Sequence, residues 1–154
     1  MTRILMVCLG NICRSPLAHG ILESKLPSHS FLVDSAGTAN YHVGDAPDHR
    51  SIAVAKSYGI DISKQRGRQF KVSDFDTFDY IFTMDDSNYQ HVIALARNAD
   101  DIDKVKCILE VDQTITSTQV PDPYYGDISD FQNVYELLNK ACTTISNQLQ
   151  NSDI

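Results

Sequence analysis

Apolar residues in this chain follow two rhythms: short unbroken runs, and longer stretches in which they recur every three or four positions. Arg3 to Cys8 (RILMVC) is an unbroken run, as expected of a parallel strand buried on both faces. Ser15-Pro16 then reads as a helix start, with serine at the N-cap and proline at the first helical position. Leu17, Ala18, Ile21, Leu22 and Leu26 give that helix one apolar side. Phe31 to Asp34 reads as a second strand, closed by Ser35-Ala36-Gly37. A helix is expected from Pro47 to about Tyr58, ended by Gly59 in the left-handed conformation that helix termini favour. Tyr80 to Met84 reads as a third strand, Ser87 to Arg97 as a helix, and Val105 to Leu109 as a fourth strand. The last helix opens on Ser129-Asp130-Phe131-Gln132, which has the spacing of a serine–glutamine capping box. Phe131, Val134, Leu138, Ala141, Cys142, Ile145 and Leu149 then fall on one side of it.

Strands alternating with helices predict an α/β fold with a parallel sheet covered on both faces. No repeat, linker or low-complexity tract interrupts the chain, so residues 1–154 read as a single domain with a polar end fraying after about Gln150. A chain of this length buries roughly two-thirds of its unfolded surface, which is enough for a core without disulfides or metals. In such sheets ligands bind at the carboxyl ends of the strands, where strands hand over to helices.

Composition narrows the function. With 20 acidic against 13 basic residues the net charge is −7, which argues against nucleic acid as a partner. No apolar run approaches the ~20 residues of a membrane span, so no membrane insertion is expected. Ile4 to Gly10 could pass for a signal-peptide core, but Asn11 and Arg14 follow at once and no small-residue cleavage site appears. The four cysteines read as reduced thiols in a cytoplasmic protein. The histidines form no H-x-H or H-E-x-x-H pattern and there is no C-x-x-C, so neither a metal site nor a cofactor is expected.

The most unusual stretch is Cys8-Leu9-Gly10-Asn11-Ile12-Cys13-Arg14-Ser15, at the first strand-to-helix junction. A loop curling into a helix N-terminus aims backbone N–H groups and positive potential at one centre, a ready cradle for a phosphate dianion. Gly10 and Asn11 are residue types that readily take left-handed backbone angles. Arg14 offers a planar fork of donors matched to two phosphate oxygens. Cys8 faces the same centre, where whatever stabilises phosphate also stabilises a thiolate, and the Ser15 hydroxyl adds a hydrogen bond. A nucleophile beside a phosphate cradle points to phosphoryl transfer through a cysteinyl-phosphate. The leaving oxygen needs a proton, and Asp122 in Val120-Pro121-Asp122-Pro123-Tyr124-Tyr125 is the candidate, its backbone restricted by prolines on both sides.

With C-L-G-N-I-C-R-S-P near the start, D-S-A-G after the second strand and D-P-Y-Y late, the chain resembles the low-molecular-weight protein tyrosine phosphatases over nearly its whole length. The resemblance implies a four-stranded parallel sheet flanked by helices, with the phosphate-binding loop between the first strand and first helix. It implies that Cys8 is the nucleophile, Arg14 the phosphate and transition-state clamp, and Asp122 the general acid. By the same likeness Ser15 steadies the thiolate, Asn11 holds the loop's shape through a contact with Ser35, and Leu9, Gly10, Ile12 and Cys13 belong to the phosphate-binding loop. Tyr41, Tyr124 and Tyr125 match positions that wall the pocket. Gln65 stands where bacterial-type members often carry a histidine that supports the loop through Asn11.

The implied partners are phosphotyrosine-containing proteins, with inorganic phosphate as product or inhibitor, acted on by a monomer or weak dimer. Other readings remain at this level. An arsenate reductase shares the cysteine–arginine loop but needs further cysteines as a closely placed relay; Cys107 and Cys142 sit in regular elements and read as core. Arginine phosphatases tend to carry threonine at the position of Ile12 and lack the paired tyrosines. A non-catalytic phosphate-binding module would not need nucleophile, clamp and acid together. Cys13 either packs beneath the loop or serves as a redox partner for Cys8. His42, His49 and Arg50 read as solvated charges near the pocket, and Asp85 and Asp86 as residues that start a helix.

Overall fold

The structure is a computed structural model and describes residues 1–151. The chain forms β1 (Thr2–Cys8), α1 (Arg14–Lys25), β2 (Phe31–Gly37), α2 (His49–Ser57), α3 (Asp74–Thr77), β3 (Tyr80–Thr83), α4 (Asp86–Ile93), α5 (Ala99–Asp103), β4 (Val105–Cys107) and α6 (Ile128–Gln150). The four strands make one all-parallel sheet in the order β2-β1-β3-β4. The polar end expected after Gln150 lies, from residue 152 on, outside the described residues.

The unbroken apolar run of β1 follows from its central place. Ile4, Met6 and Cys8 face a core shared with α1, α2 and α6, including Leu17, Leu138 and Ile145. Leu5 and Val7 face a smaller core with Phe75, Phe78, Ile81 and Val92. Each such fully buried aliphatic side chain contributes roughly 1.5–3 kcal/mol, so β1 is fixed from both faces. The chain leaves β1 toward β2 on one side and later returns to β3 on the other. That reversal puts a crevice at the carboxyl end of β1, where Cys8 stands.

Several boundaries differ from the sequence reading, each for a local reason. Helix α1 begins at Arg14 after Cys13, without a side-chain cap, because the Ser15 hydroxyl is engaged with Cys8 and Asn11 instead. Pro16 still lies in the first turn, where a missing N–H is tolerated. Strand β2 runs on to Gly37 because Ser35, Ala36 and Gly37 pair with Met6, Val7 and Cys8. Strands β3 and β4 stop at Thr83 and Cys107, where their mutual pairing ends, and Ile108–Val111 coils into a 3₁₀ turn. Helix α2 starts at His49 with Asp48 as cap, while Gly59 follows its end at φ +79° as expected. Asp85 caps α4, which starts before Ser87 and ends at Ile93, short of Arg97. The capping box of α6 is made by Asp127 and Asp130, not by Ser129 and Gln132. The short helices α3 and α5 have no counterpart in the sequence reading. Among the described residues no helix is long and apolar enough to cross a membrane.

Candidate active site

The loop from Leu9 to Cys13 is held from outside by its carbonyls. Thr38 and Ala39, continuing from β2, donate backbone N–H to the carbonyls of Cys8 and Leu9, each at 2.9 Å. Asp48 N–H donates to the Ile12 carbonyl at 2.8 Å, and Ser51 Oγ to the Cys13 carbonyl at 3.1 Å. Among the described residues the N–H groups of Gly10, Asn11, Ile12 and Cys13 donate to no protein acceptor, so the loop keeps its donors for a ligand. Gly37 lets β2 come this close, since a Cβ there would sit 2.8 Å from the Leu9 carbonyl oxygen.

Asn11 adopts φ 57°, which asparagine tolerates better than most residues. Its Nδ2 donates to Ser15 Oγ at 2.8 Å, and its Oδ1 accepts from the Arg68 backbone N–H at 3.1 Å. Ser15 Oγ lies 3.0 Å from Cys8 Sγ. With its oxygen already accepting from Asn11, the hydroxyl has the sulfur as its nearer acceptor and the Ala36 carbonyl, at 3.5 Å, as its farther one.

Arg14 is only 2% exposed and is aimed by its partners. Nη1 donates to Asp85 Oδ2 at 2.7 Å and to the Val120 carbonyl at 3.0 Å, and Nη2 lies 3.8 Å from Asp122 Oδ2. Burial opposes the guanidinium charge, but Cys8, the hydrogen bond and charge of Asp85, and Asp122 together hold its pKa above the ordinary value. Asp85 also caps α4 by accepting the Asn88 N–H at 2.8 Å, so its carboxylate is fixed from two sides. Removing Asp85 would leave a buried guanidinium short of a counter-charge, a loss of roughly 3–5 kcal/mol for such pairs. The segment that carries Asp122 is drawn to the sheet where Val120 N–H donates to the Met84 carbonyl at 2.8 Å. Asp122 Oδ1 accepts the Tyr124 N–H at 3.1 Å, and its side chain is 43% exposed.

These elements enclose a cavity of about 300 Å³. Cys8, Leu9, Gly10, Ile12, Cys13 and Arg14 form its base, and Tyr41, Asp122, Tyr124 and Tyr125 its wall. His42 joins the lining, although it reads in the sequence as a solvated charge. Asn11 and Ser15 lie behind the loop, buried.

Ser35 does not meet Asn11; its hydroxyl lies 3.1 Å from His19 Nδ1, and Asn11 Oδ1 is taken by the Arg68 backbone N–H. Gln65 does not reach Asn11 either. Its Nε2 donates to the Pro16 carbonyl at 3.2 Å, while its buried Oε1 has no hydrogen-bond partner. Sequence reasoning missed Asp85 as the aspartate that aims Arg14, although its place at the carboxyl end of β3 was a usable signal. It also missed Arg68 and His19, and it left Arg50 in solvent, whereas Arg50 donates to Asp48 and to the carbonyls of Tyr124 and Gly126.

All four cysteines are free. Burial, reinforced by Asp48, Cys8 and Asp122, pushes the Cys13 thiol far above its ordinary value, so Cys13 is a weak thiolate former. Cys142 is pushed up to about 12 by burial in the core. Among the described residues no group of three or more His, Cys, Asp or Glu side chains converges as a metal site.

Residues 3–153 match the family model described as low molecular weight phosphotyrosine protein phosphatase. The low molecular weight phosphotyrosine protein phosphatase of Homo sapiens is 38% identical over 146 residues, covering 90% of each chain. That of Saccharomyces cerevisiae is 38% identical over 138 residues, covering 84% of this chain and 83% of the yeast one. The solved structure of a protein tyrosine phosphatase from Entamoeba histolytica superimposes with a TM-score of 0.93 at 36% identity over the whole of both chains.

Proposed function

The chain belongs to the low molecular weight phosphotyrosine protein phosphatase family and is a cysteine-dependent protein tyrosine phosphatase, and we propose that Cys8 is its nucleophile, Arg14 its phosphate clamp and Asp122 its general acid. The observation that carries these roles is a single cavity lined by a thiol, a guanidinium and a carboxyl beside loop N–H groups without protein acceptors.

In this reading the phosphoryl oxygens of phosphotyrosine take the loop donors and the open edge of Arg14. The Cys8 thiolate attacks phosphorus, the bond to the tyrosyl oxygen breaks, and Asp122 gives that oxygen its proton. A water then attacks the cysteinyl-phosphate, returns a proton to Asp122 and frees inorganic phosphate with the thiolate. Fixed donors aimed at the equatorial oxygens stabilise the charge spread over them in both steps. Ser15 steadies the thiolate, and Asn11 holds Ser15 and the loop in place. Cys8 lies recessed at 2% exposure, while Tyr41, Tyr124 and Tyr125 stand at the rim, which suits a long flat phosphotyrosyl side chain. The same reading takes residues 1–154 as one catalytic domain, a monomer or weak dimer acting on phosphotyrosine proteins. The four free thiols support the cytoplasm as its place of work.

The deciding experiment is acid quench of the enzyme mixed with a radiolabelled phosphotyrosine peptide, followed by peptide mapping. Label on Cys8 is expected; label on another residue, or none, overturns the assignment. A parallel comparison of phosphotyrosine and phosphoarginine peptides should favour phosphotyrosine.

A further inference from the structure

One side chain outside the cavity lining joins the two parts of the site. Arg50, in the first turn of α2, wraps its guanidinium around Asp48, with Nε and Nη2 donating to the two carboxylate oxygens at 3.0 and 2.9 Å. Its other donors reach far along the chain. Nη2 donates to the Tyr124 carbonyl, 74 residues away, and Nη1 to the Gly126 carbonyl, 76 residues away, both at 2.9 Å. Its central carbon lies 4.4 Å from the Phe131 ring centroid and 5.9 Å from that of Tyr124. Four directed bonds and a stacked face use the planar fork in a way that the point charge of lysine does not reproduce.

Both ends of this strap lead to the chemistry. Asp48 caps α2 and donates its N–H to the Ile12 carbonyl of the phosphate loop at 2.8 Å. Tyr124, whose carbonyl Arg50 holds, donates its own N–H to Asp122 Oδ1 at 3.1 Å. Gly126 N–H closes the turn on the Pro123 carbonyl at 2.9 Å. Most of the turn is open to solvent, with Tyr125 at 96% exposure, and only Pro123 within it is buried. Past Pro123, directed polar bonds hold the chain in place.

We propose that Arg50 is a positioning residue for the acid step, holding the turn that carries Asp122 in register with the phosphate loop. This rests on Asp122 being the general acid. Arg50 does not line the cavity, and the Asp48 bond to the Ile12 carbonyl is made by backbone N–H, which the Arg50 change leaves in place, so phosphate affinity should stay as it is. Poor positioning should show in cleavage of the ester bond, and more strongly for a basic leaving group, which needs the proton most.

The test is single-turnover phosphoenzyme formation by Arg50→Ala, Asp122→Ala and the double variant, on phenyl phosphate and p-nitrophenyl phosphate. Inhibition by inorganic phosphate is measured alongside. Arg50→Ala is expected to lose about 10-fold on phenyl phosphate and no more than about 3-fold on p-nitrophenyl phosphate. The phosphate inhibition constant should stay within about 2-fold, and in the Asp122→Ala background the Arg50 change should add nothing. Equal losses on both esters, additive losses in the double variant, or wild-type rates overturn the proposal. If Asp122→Ala alone remains selective for the leaving group, the acid assignment survives that failure. If it shows no selectivity, the acid assignment falls, and the positioning role with it. Should Arg50→Ala not fold, Arg50→Lys is judged by the same comparison, and wild-type behaviour there overturns the proposal.

Discussion

The phosphate loop and the turn that carries Asp122 both line one cavity, yet Cys8 and Arg14 are each 2% exposed while Tyr125, in that turn, is 96% exposed. The loop is clamped by strand β2, helix α2 and the Asn11–Ser15–Cys8 chain of polar contacts, all sheltered from water. The turn has only Pro123 buried within it and is otherwise held by Arg50 and by the Asp122–Tyr124 bond, both beside solvent. The difference matches two tasks. Donors for a transition state must be fixed before the reaction, because reorganising them would raise the barrier. In the proposed mechanism the Asp122 side must let a phosphotyrosyl side chain in and release the product.

The largest test of this contrast is Cys8→Ser. It should cut turnover by more than about 10⁴-fold, since the covalent intermediate is lost, while inorganic phosphate still binds. Phosphate-dependent protection against thermal unfolding measures the retained binding, and an unfolded or phosphate-blind variant would erase the distinction between chemistry and cradle.

Next comes Asp122→Ala, expected to lose about 10²-fold in phosphoenzyme formation from phosphotyrosine peptides. A tyrosyl leaving group, with conjugate acid near pKa ~10, should suffer more than nitrophenolate. Phosphate inhibition should hold steady, as the loop is untouched.

Asn11→Ala attacks the loop instead. It removes the donor to Ser15 and the acceptor for Arg68 N–H, and it puts alanine at φ 57°. Stability should fall by about 1–3 kcal/mol, and phosphate binding should weaken together with kcat. A loss confined to kcat with normal phosphate binding would contradict the loop-shaping role.

The smallest effect concerns pH. The hydrogen bonds and charge of Arg50 hold the Asp48 carboxyl below its ordinary value of 3.8 despite some opposing burial. A carboxyl depressed in the folded state adds stability above its unfolded pKa and loses it as pH falls through the lower folded value. Wild type should therefore lose this increment only in acid, below the ordinary carboxylate range. Asp48→Asn should show a shallower acid limb in denaturant titrations, and identical limbs would mean that the pair contributes nothing to stability.

The sequence by itself determined the features whose chemistry is contiguous. An unbroken apolar run identified β1 as buried on both faces, and eight adjacent residues from Cys8 to Ser15 carried the proposed phosphate cradle, nucleophile and clamp. Asp122 stood out because prolines flank it, and the cavity indeed brings it beside Arg14. What tertiary structure decided is which polar group meets which. Asp85 reaches Arg14 across 71 positions because the order β2-β1-β3-β4 sets the carboxyl ends of β1 and β3 side by side. The Arg68 backbone N–H, not Gln65, takes Asn11 Oδ1, and His19, not Asn11, takes Ser35, since register and helix placement fix these distances. The cap of α6 passed to Asp127 and Asp130 because backbone geometry chooses among several adjacent capping residues. Arg50 looked like any surface cation, because hydrophobic patterning records which residues avoid water and carries no record of long-range pairing between polar ones.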